Sequence, residues 1–320
     1  MATITTSSFA NFYSIAWKRR LLDMPKDFYV MERFGRSESV PRNQTDTFRF
    51  YSYAPLSPAT TALTEGTPPT PQDMTRSYVD ATLEQYGGVI EITDWAAATS
   101  DEKLLARASE LLSIQALDTR ETLLREVLMS GSNVVYAGGA ADRNSLAANT
   151  GIQEDDLYTI RATLMQNKIR PITRIVNPSN KYSTEPISAA YVVLVDPTAV
   201  SAVESLSGFI PVRKYADRSV IDPSMELGAW GKFRFLESNF VKTLGTNGTG
   251  QTVHGAIVLG QDSYAYLMLE GEGLKTYVKP FGSAGTSDPI NQKASIGWKM
   301  SFAAAITRSE GVVRYEFTLG

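Results

Sequence analysis

The residues that could carry acid–base or nucleophilic chemistry are few in this chain. Its only histidine, His254, follows the glycine-rich stretch GTNGTG at 245–250, which predicts a loop. A serine–histidine–carboxylate triad would need that histidine, yet the sequence has no Gly-x-Ser-x-Gly turn to present a nucleophile. The stretch also lacks the Gly-Lys-Ser/Thr of a phosphate-binding loop. We therefore interpret His254 as structural and predict no catalytic residue.

Metal and cofactor binding are also disfavoured by the residue types. Two carboxylate pairs, Asp155-Asp156 and Glu270-Gly-Glu272, are the candidates for a cation site. With one histidine, no cysteine and no calcium-loop pattern of alternating aspartates, we predict no metal site and no cofactor. Because disulfides are excluded as well, contacts between chains would depend on buried surface or on another covalent route.

Length and composition are those of an ordinary soluble globular protein. The chain has 320 residues, of which 43% are hydrophobic and 20% are charged, and a chain of this size buries roughly three quarters of its unfolded surface. It has no apolar run of about 18 residues or more, and its first residues are too polar for a secretory leader, so we expect a cytoplasmic origin. A net charge of −3 disfavours tight nucleic-acid binding.

A long β-hairpin is predicted over residues 45–94. In the first arm, Thr45–Tyr53, successive side chains alternate, so that Phe48 and Phe50 share one face and Tyr51 lies on the other. A lone two-stranded hairpin is marginally stable in water. We therefore expect its aromatic side chains to need a partner surface.

The tip and the return arm of this hairpin differ in character. Residues 54–73 hold five of the chain's 15 prolines, which predicts a stiff, extended tip without a regular ladder. The return arm, residues 74–94, contains Gly87-Gly88, where we predict a break in the strand.

A long amphipathic helix is predicted directly after the hairpin. The sequence Thr99-Ser-Asp-Glu102 matches a capping box, and Ser130-Gly131 is typical of a helix end. Apolar residues recur between them at intervals of three and four, which predicts one stripe along about 45 Å of helix that faces the core. The residues of this stripe are Leu104, Leu105, Ala108, Leu111, Leu112, Leu123, Leu124, Val127 and Leu128.

The second half of the chain is predicted to mix helices and strands. Glu154–Ile169 has helical periodicity, and Ala190–Val195 is an apolar run typical of a buried strand. Asp196 is then predicted as the N-cap, and Pro197 as the first residue, of a helix that runs to about Leu206. The run at 255–260 predicts a strand with a short helix after it. Alternating apolar residues predict two closing strands, at Ile296, Trp298 and Met300 and at Val313, Tyr315 and Phe317.

These segments together resemble the major capsid proteins of tailed bacteriophages with the HK97-type fold, most closely the branch typified by N4-type phages. The likeness spans most of the chain in the family's order, and its clearest segments are 40–50, APLSPATTALTEGTPPTP at 54–71, ATLEQYGGVIEITD at 81–94, SGSNVVYAGG at 130–139, GAIVLGQDSYAYL at 255–267 and DPINQKASIGWKMSFAA at 288–304.

The resemblance implies an α+β fold with the family's division of the chain. Residues 1–44 would form an N-terminal arm and residues 45–95 the E-loop hairpin. The P-domain would comprise residues 96–150 with the long spine helix, completed by a C-terminal return at 272–320. Residues 151–271 would form the A-domain.

The resemblance also implies a function. The chain would be a major capsid protein, not an enzyme, that self-assembles as pentamers and hexamers into the icosahedral head of a phage virion. The shell would form in the host cytoplasm and enclose genomic DNA without sequence-specific binding and without a membrane. Its partners would be further copies of itself, a scaffolding protein, a portal and a decoration protein. The alternatives are an encapsulin-type bacterial compartment shell and a hydrolase or carbohydrate-binding protein of a phage tail.

Aromatic, apolar and basic residues of the arm and the hairpin are the candidates for an assembly interface between copies. They are Phe9, Phe12, Tyr13, Trp17, Arg19, Phe48, Phe50, Tyr51, Leu56, Leu63, Arg76 and Tyr78.

Two features depart from some members of the family. Shells of this type can be locked by an isopeptide bond from an E-loop lysine, but this chain has no lysine between Lys26 and Lys103, so its hairpin cannot form that bond. Only some 45 residues precede the hairpin, which leaves no room for a fused scaffolding domain, and we expect a separate scaffold.

Overall fold

The computed structural model describes residues 29–43, 45–63, 65–66, 68–100, 104–173, 187–215, 221, 224–283 and 288–319. The helices are α1 (Asp94–Thr99), α2 (Leu104–Met129), α3 (Glu154–Gln166) and α4 (Val200–Glu204). The strands are β1 (Arg36–Val40), β2 (Thr47–Tyr53), β3 (Arg76–Thr82), β4 (Glu84–Thr93), β5 (Val134–Tyr136), β6 (Tyr191–Val195), β7 (Ile210–Pro211), β8 (Glu226–Trp230), β9 (Phe233–Glu237), β10 (Val253–Leu259), β11 (Tyr264–Leu269), β12 (Lys275–Lys279), β13 (Lys293–Ile306) and β14 (Val312–Thr318).

The first sheet is organised around β13, which is 14 residues long. One edge of β13 pairs antiparallel with β4, and the other edge pairs antiparallel with β12 and then with β11. Strand β1 continues the sheet by pairing parallel to β11. Ile296, Trp298 and Met300 are buried on the face of β13 that packs with the long helix, which confirms the alternation predicted from the sequence.

The second sheet has seven strands in the order β5-β14-β10-β6-β9-β8-β7. All five residues of β6 are buried because both faces of this sheet are covered. Val192 and Leu194 join a core cluster with α2, whereas Tyr191 and Val193 join the cluster that contains the buried face of α3. The apolar run at 191–195 is therefore a strand between two cores.

Helix α2 connects the two sheets through its buried face. Ala108, Leu112, Leu124 and Leu128 lie in one cluster with residues of both sheets. The helix ends at Met129, which confirms the stop predicted by the glycine that follows. Leu111 is 46% exposed, so the apolar stripe is narrower than its spacing predicted.

The predicted break at Gly87-Gly88 is wrong, because β4 runs through both glycines and pairs with β13 along ten residues. The glycines instead permit a close approach. A Cβ atom on Gly88 would lie 2.4 Å from Oε1 of Gln115 on α2 and 2.9 Å from Nε1 of Trp298 on β13. These two side chains are joined by a hydrogen bond of 3.0 Å.

A short helix that the sequence did not predict, α1, precedes the long helix and contains the first residue of the predicted capping box. Thr99 is the last residue of α1, and its hydroxyl donates to the carbonyl of Trp95. Thr93 caps that helix, since its hydroxyl oxygen accepts from the N–H of Ala96 at 3.3 Å. The rest of the predicted capping box, residues 101–102, lies outside the described part of the chain.

One further prediction in the second half of the chain is wrong and two are confirmed. The helix predicted after β10 is a strand, β11, in which Tyr264, Ala265 and Leu267 are buried. The helical segment predicted after β6 is confirmed, because Asp196 is the N-cap residue and Pro197 begins a short 3-10 turn that leads into α4, which ends at Glu204. The carboxylate of Asp196 makes no capping hydrogen bond and instead accepts from the hydroxyl of Thr198. The predicted helix α3 is confirmed and buries Leu157, Ile160 and Leu164.

Leu112→Ala and Leu124→Ala should each lower the free energy of unfolding by about 2–5 kcal/mol, because each removes buried methyl groups and leaves a cavity in the core around α2. Urea denaturation of isolated subunits would measure the change. Leu111→Ala on the exposed side of the same helix is the matched control, with an expected change of about 0.5 kcal/mol or less. Equal effects at all three positions would contradict this assignment of the buried face.

Candidate assembly surfaces

The hairpin formed by β2 and β3 has one apolar face, and this face packs on its own chain. Thr47 to Tyr53 pair with Thr82 to Arg76 in one continuous antiparallel register. Phe48 and Phe50 lie half-buried, with ring centroids 4.9 Å apart, in a small cluster with residues of β1, β11 and β13. The base of the hairpin is thus supported by the first sheet and is not a free two-stranded ribbon.

The opposite face of the hairpin is an exposed ladder of tyrosine and arginine. Tyr51 and Tyr78 are directly paired and are 54% and 58% exposed. The guanidinium of Arg49 lies 4.1 Å from the ring centre of Tyr78, and that of Arg76 lies 4.4 Å from the ring centre of Tyr51. These cation–π contacts hold the four side chains in a fixed arrangement.

Arg49 is further fixed by a two-pronged ion pair with Asp80, with N–O distances of 2.6 and 2.8 Å. The hydrogen bond from Arg49 lowers the pKa of Asp80. Both groups face solvent, so the pair contributes little stability. Its effect is to orient the outer face of the hairpin.

The tip of the hairpin makes no regular structure. Every described residue from Ala54 to Thr75 is exposed, and Leu63 is exposed by 74%. The apex is a turn at Glu65-Gly66, where Gly66 has φ +75°, a backbone angle that favours glycine. The prolines act as predicted, since the ladder of β2 and β3 stops before the first of them.

The predicted interface residues fall into three groups. Outside the described part of the chain lie Phe9, Phe12, Tyr13, Trp17 and Arg19. Exposed on the outer face and tip of the hairpin are Tyr51, Leu56, Leu63, Arg76 and Tyr78. Half-buried against their own chain are Phe48 and Phe50. Their assignment to an interface between copies stays a prediction.

The residues before the hairpin are attached to α2 by a buried carboxylate that the sequence analysis missed. Glu121 is 1% exposed, and its Oε1 accepts from the backbone N–H groups of Val30 and Met31 at 2.7 Å each. The hydroxyl of Tyr264 donates to the carbonyl of Met31. Residues 30–40 of the predicted arm are therefore built into the subunit core through this contact and β1.

An ion pair lies beside the contact of Glu121 with the backbone. In this pair, Nη2 of Arg120 donates to Oε2 of Glu32 at 2.7 Å. Burial raises the pKa of Glu121 above its ordinary value, against the effect of the two N–H donors, and burial likewise raises the pKa of Glu32. The burial of Glu121 could have been predicted from its spacing, because Glu121 lies three residues before Leu124 and seven before Leu128, both of which are buried. A carboxylate there has to be buried with the apolar stripe.

His254 lies on β10, so the predicted loop position is wrong. Its Nδ1 is 3.2 Å from both Oδ2 of Asp196 and Oγ1 of Thr198, and its ring stacks on Phe317 with centroids 6.0 Å apart. The glycine-rich stretch before it is a loop as predicted, closed by the side chain of Asn247, which accepts backbone N–H groups of the same loop.

Within the described ranges, histidine, aspartate and glutamate side chains form no group of three or more that is suited to a metal ion. None of the helices described above is long and apolar enough to span a membrane.

The sequence matches a model of the family described as "Phage capsid protein" over residues 77–315. No curated protein matches the chain. The family match covers most of the chain and includes the long helix, the second hairpin strand from residue 77 and the strands of both sheets except β1 and the end of β14.

Solved phage capsids resemble the structure over nearly its whole length. The capsid of cyanophage P-SCSP1u is 12% identical with a TM-score of 0.66, over 97% of this chain and 94% of that chain. The capsid of Ralstonia phage GP4 is 13% identical with a TM-score of 0.67, over 96% of each. The head structure of Helicobacter pylori bacteriophage KHP40 is 11% identical with a TM-score of 0.62, over 100% and 98%. These matches confirm the predicted HK97-type α+β fold.

Glu121→Gln should weaken the pH dependence of subunit stability. Because the pKa of Glu121 is higher in the folded chain than its ordinary value of 4.5, the free energy of unfolding is highest below that value. It falls as the pH rises through the raised pKa and the carboxylate ionises. The amide keeps an oxygen acceptor for Val30 and Met31 but does not titrate. Urea denaturation of isolated subunits at a series of pH values should therefore show a smaller fall in the variant.

The matched control is Glu126→Gln, an exposed glutamate on the same helix, which should follow the wild-type curve. Parallel curves for wild type and Glu121→Gln would show that Glu121 does not titrate differently in the fold.

Proposed function

Since this chain belongs to the phage capsid protein family and acts as a capsid shell protein, we propose that it forms the icosahedral head shell around phage genomic DNA, as pentamers and hexamers. The observation that carries the proposal is the exposed hairpin. Its outer face presents ordered tyrosines and arginines, and the described residues of its tip are all exposed. Such residues are enriched in protein interfaces.

The proposed domains do not coincide with the two sheets, because β11 of the first sheet lies within residues 151–271, whereas β5 and β14 of the second sheet lie outside that range. In this proposal residues 96–150, which contain α2, and residues 272–320 form the P-domain, and residues 151–271 form the A-domain near the symmetry axes. The hairpin (45–95) is the E-loop that lies on a neighbouring copy. Residues 1–44 are the N-terminal arm, although residues 30–40 are part of the core of the subunit.

The role is structural and not enzymatic in this proposal. The family resemblance supports a scaffolding protein, a portal and a decoration protein as partners, with assembly in the host cytoplasm. The encapsulin-type alternative lacks comparable support, because the matching family and the structures compared above are those of phage capsids.

Electron microscopy of the purified chain, expressed with its scaffold, tests the proposal. We expect closed icosahedral particles or free capsomers, because a monomer would leave the hairpin surface in water. A monodisperse species of about 35 kDa at high concentration, with the scaffold present, would overturn it.

Removal of the hairpin tip, residues 56–71, should leave a folded subunit that forms no stable shell. The tip has no buried residue among those described, so its loss removes no core packing, whereas its prolines lower the entropic cost of docking on a neighbour. Circular dichroism and the melting temperature should match those of the wild type, and sedimentation should shift from particles to capsomers or monomers. Normal shells from the deletion variant would show that the E-loop assignment is wrong.

A further inference from the structure

A cation-rich recess of about 390 Å3 opens at the base of the hairpin. Arg42 lines it just before β2 and Gln85 at the start of β4, and Tyr277 and Lys299 contribute from β12 and β13. The recess is thus bounded by the segments that lead into and out of the hairpin and by the outer part of the first sheet.

Positive charges are crowded at this recess. Lys275 and Lys299 are direct partners in the register of β12 and β13, and like charges in that position repel each other. Oε1 of Glu272 lies 2.6 Å from Nζ of Lys275 and 2.7 Å from Nη2 of Arg42. The hydrogen bond from Lys275, with the charges of Arg42 and Lys299, lowers the pKa of Glu272.

The single carboxylate of Glu272 does not balance the three cations. The cations Arg42, Lys275 and Lys299 and the carboxylate of Glu272 together carry a net charge of +2, whereas the whole chain has a net charge of −3. Side chains of Arg42 and Lys275 are 47% and 41% exposed, so the cations are accessible from outside. A negatively charged group that entered the recess would relieve the repulsion between the lysines.

The hairpin tip carries the opposite charge. Between Arg49 and Arg76 the only charged residues are Glu65 and Asp73. Glu65 is exposed at the apex, next to Gly66. Leu63, which is 74% exposed, adds an apolar side chain beside this carboxylate. The apex therefore offers an acidic group and an apolar group that are both exposed.

The tip cannot reach the recess of its own chain. The seven paired residues of each arm separate the base of the hairpin from its tip by about 23 Å at about 3.3 Å per residue. The described residues from 54 to 75 are all exposed, so the tip does not fold back on the subunit. Contact between apex and recess therefore needs two copies, and a head-to-tail contact of this kind gives a ring when the rotation from copy to copy closes.

We propose that the recess lined by Arg42 and Lys299, with Lys275 beside it, receives the Glu65 apex of the hairpin of a second copy of this chain. The carboxylate of Glu65 binds between Arg42 and Lys299, and Leu63 packs against Tyr277 at the rim. This inference rests on the proposed function, because it needs several copies in one shell. An ion pair at the apex also gives this lysine-free hairpin a reversible attachment to its neighbour.

Charge reversal tests the contact in the full-length chain, under conditions in which the wild type forms particles. Lys299→Glu lowers the net charge of the four groups at the recess from +2 to 0 and sets a carboxylate where Glu65 would bind, and Glu65→Lys places a cation against the cations of the recess. Each variant should therefore raise the protein concentration needed for particles by about tenfold. The double variant should restore assembly. Lys279→Glu, on the same sheet but outside the recess, is the matched control and should assemble normally. Circular dichroism checks folding, and Lys275→Glu replaces Lys299→Glu if the latter unfolds.

Mixing the two single variants separates contact between copies from contact within one chain. If the two variants alternate around a six-membered ring, the apex of the Glu65→Lys variant meets the recess of the Lys299→Glu variant, and the native apex meets the native recess. The mixture should therefore form rings that neither variant forms alone. Loss of assembly in Lys299→Glu that Glu65→Lys does not rescue would overturn the proposal and assign the recess to another acidic partner or to nucleic acid. Normal assembly of both single variants would also overturn it. If the wild type forms no particles, the proposed function fails first.

Discussion

The backbone ladder of β13 is the constraint on which the rest of the structure depends. Its 14 residues pair with β4 on one edge and with β12 and β11 on the other, and one of its faces packs on α2. Since β4 follows directly from the hairpin and β1 pairs with β11, the positions of the hairpin, the long helix and the cationic recess are all fixed relative to this strand. A C-terminal segment thereby organises the first half of the chain.

Periodicity predicted the elements that bury one continuous face or stripe. Helix α2, helix α3 and the strands β13 and β14 were predicted because apolar residues recur in them at helical or alternating intervals. The glycine pair in β4 was misread because its cause is tertiary. Glycine there makes room for Gln115 and Trp298, which lie far away in the sequence.

The candidate surfaces were only partly predictable for the same reason. Alternation separated the two faces of the hairpin, and the inward face of Phe48 and Phe50 turned out to pack on its own chain. No local pattern shows that Glu121 holds the N–H groups of residues 30 and 31, about 90 positions away. The same holds for Arg42, which meets Glu272 only because β1 lies beside β11.

The register of β4 on β13 also has a mechanical consequence. The hairpin is continuous with β4, whose ten residues run antiparallel to β13, so a pull on the tip along the strand direction loads this ladder in shear. In shear the hydrogen bonds share the force, whereas peeling would break them one after another. Tension on the hairpin would therefore pass along β4 into β13 and load the centre of the first sheet.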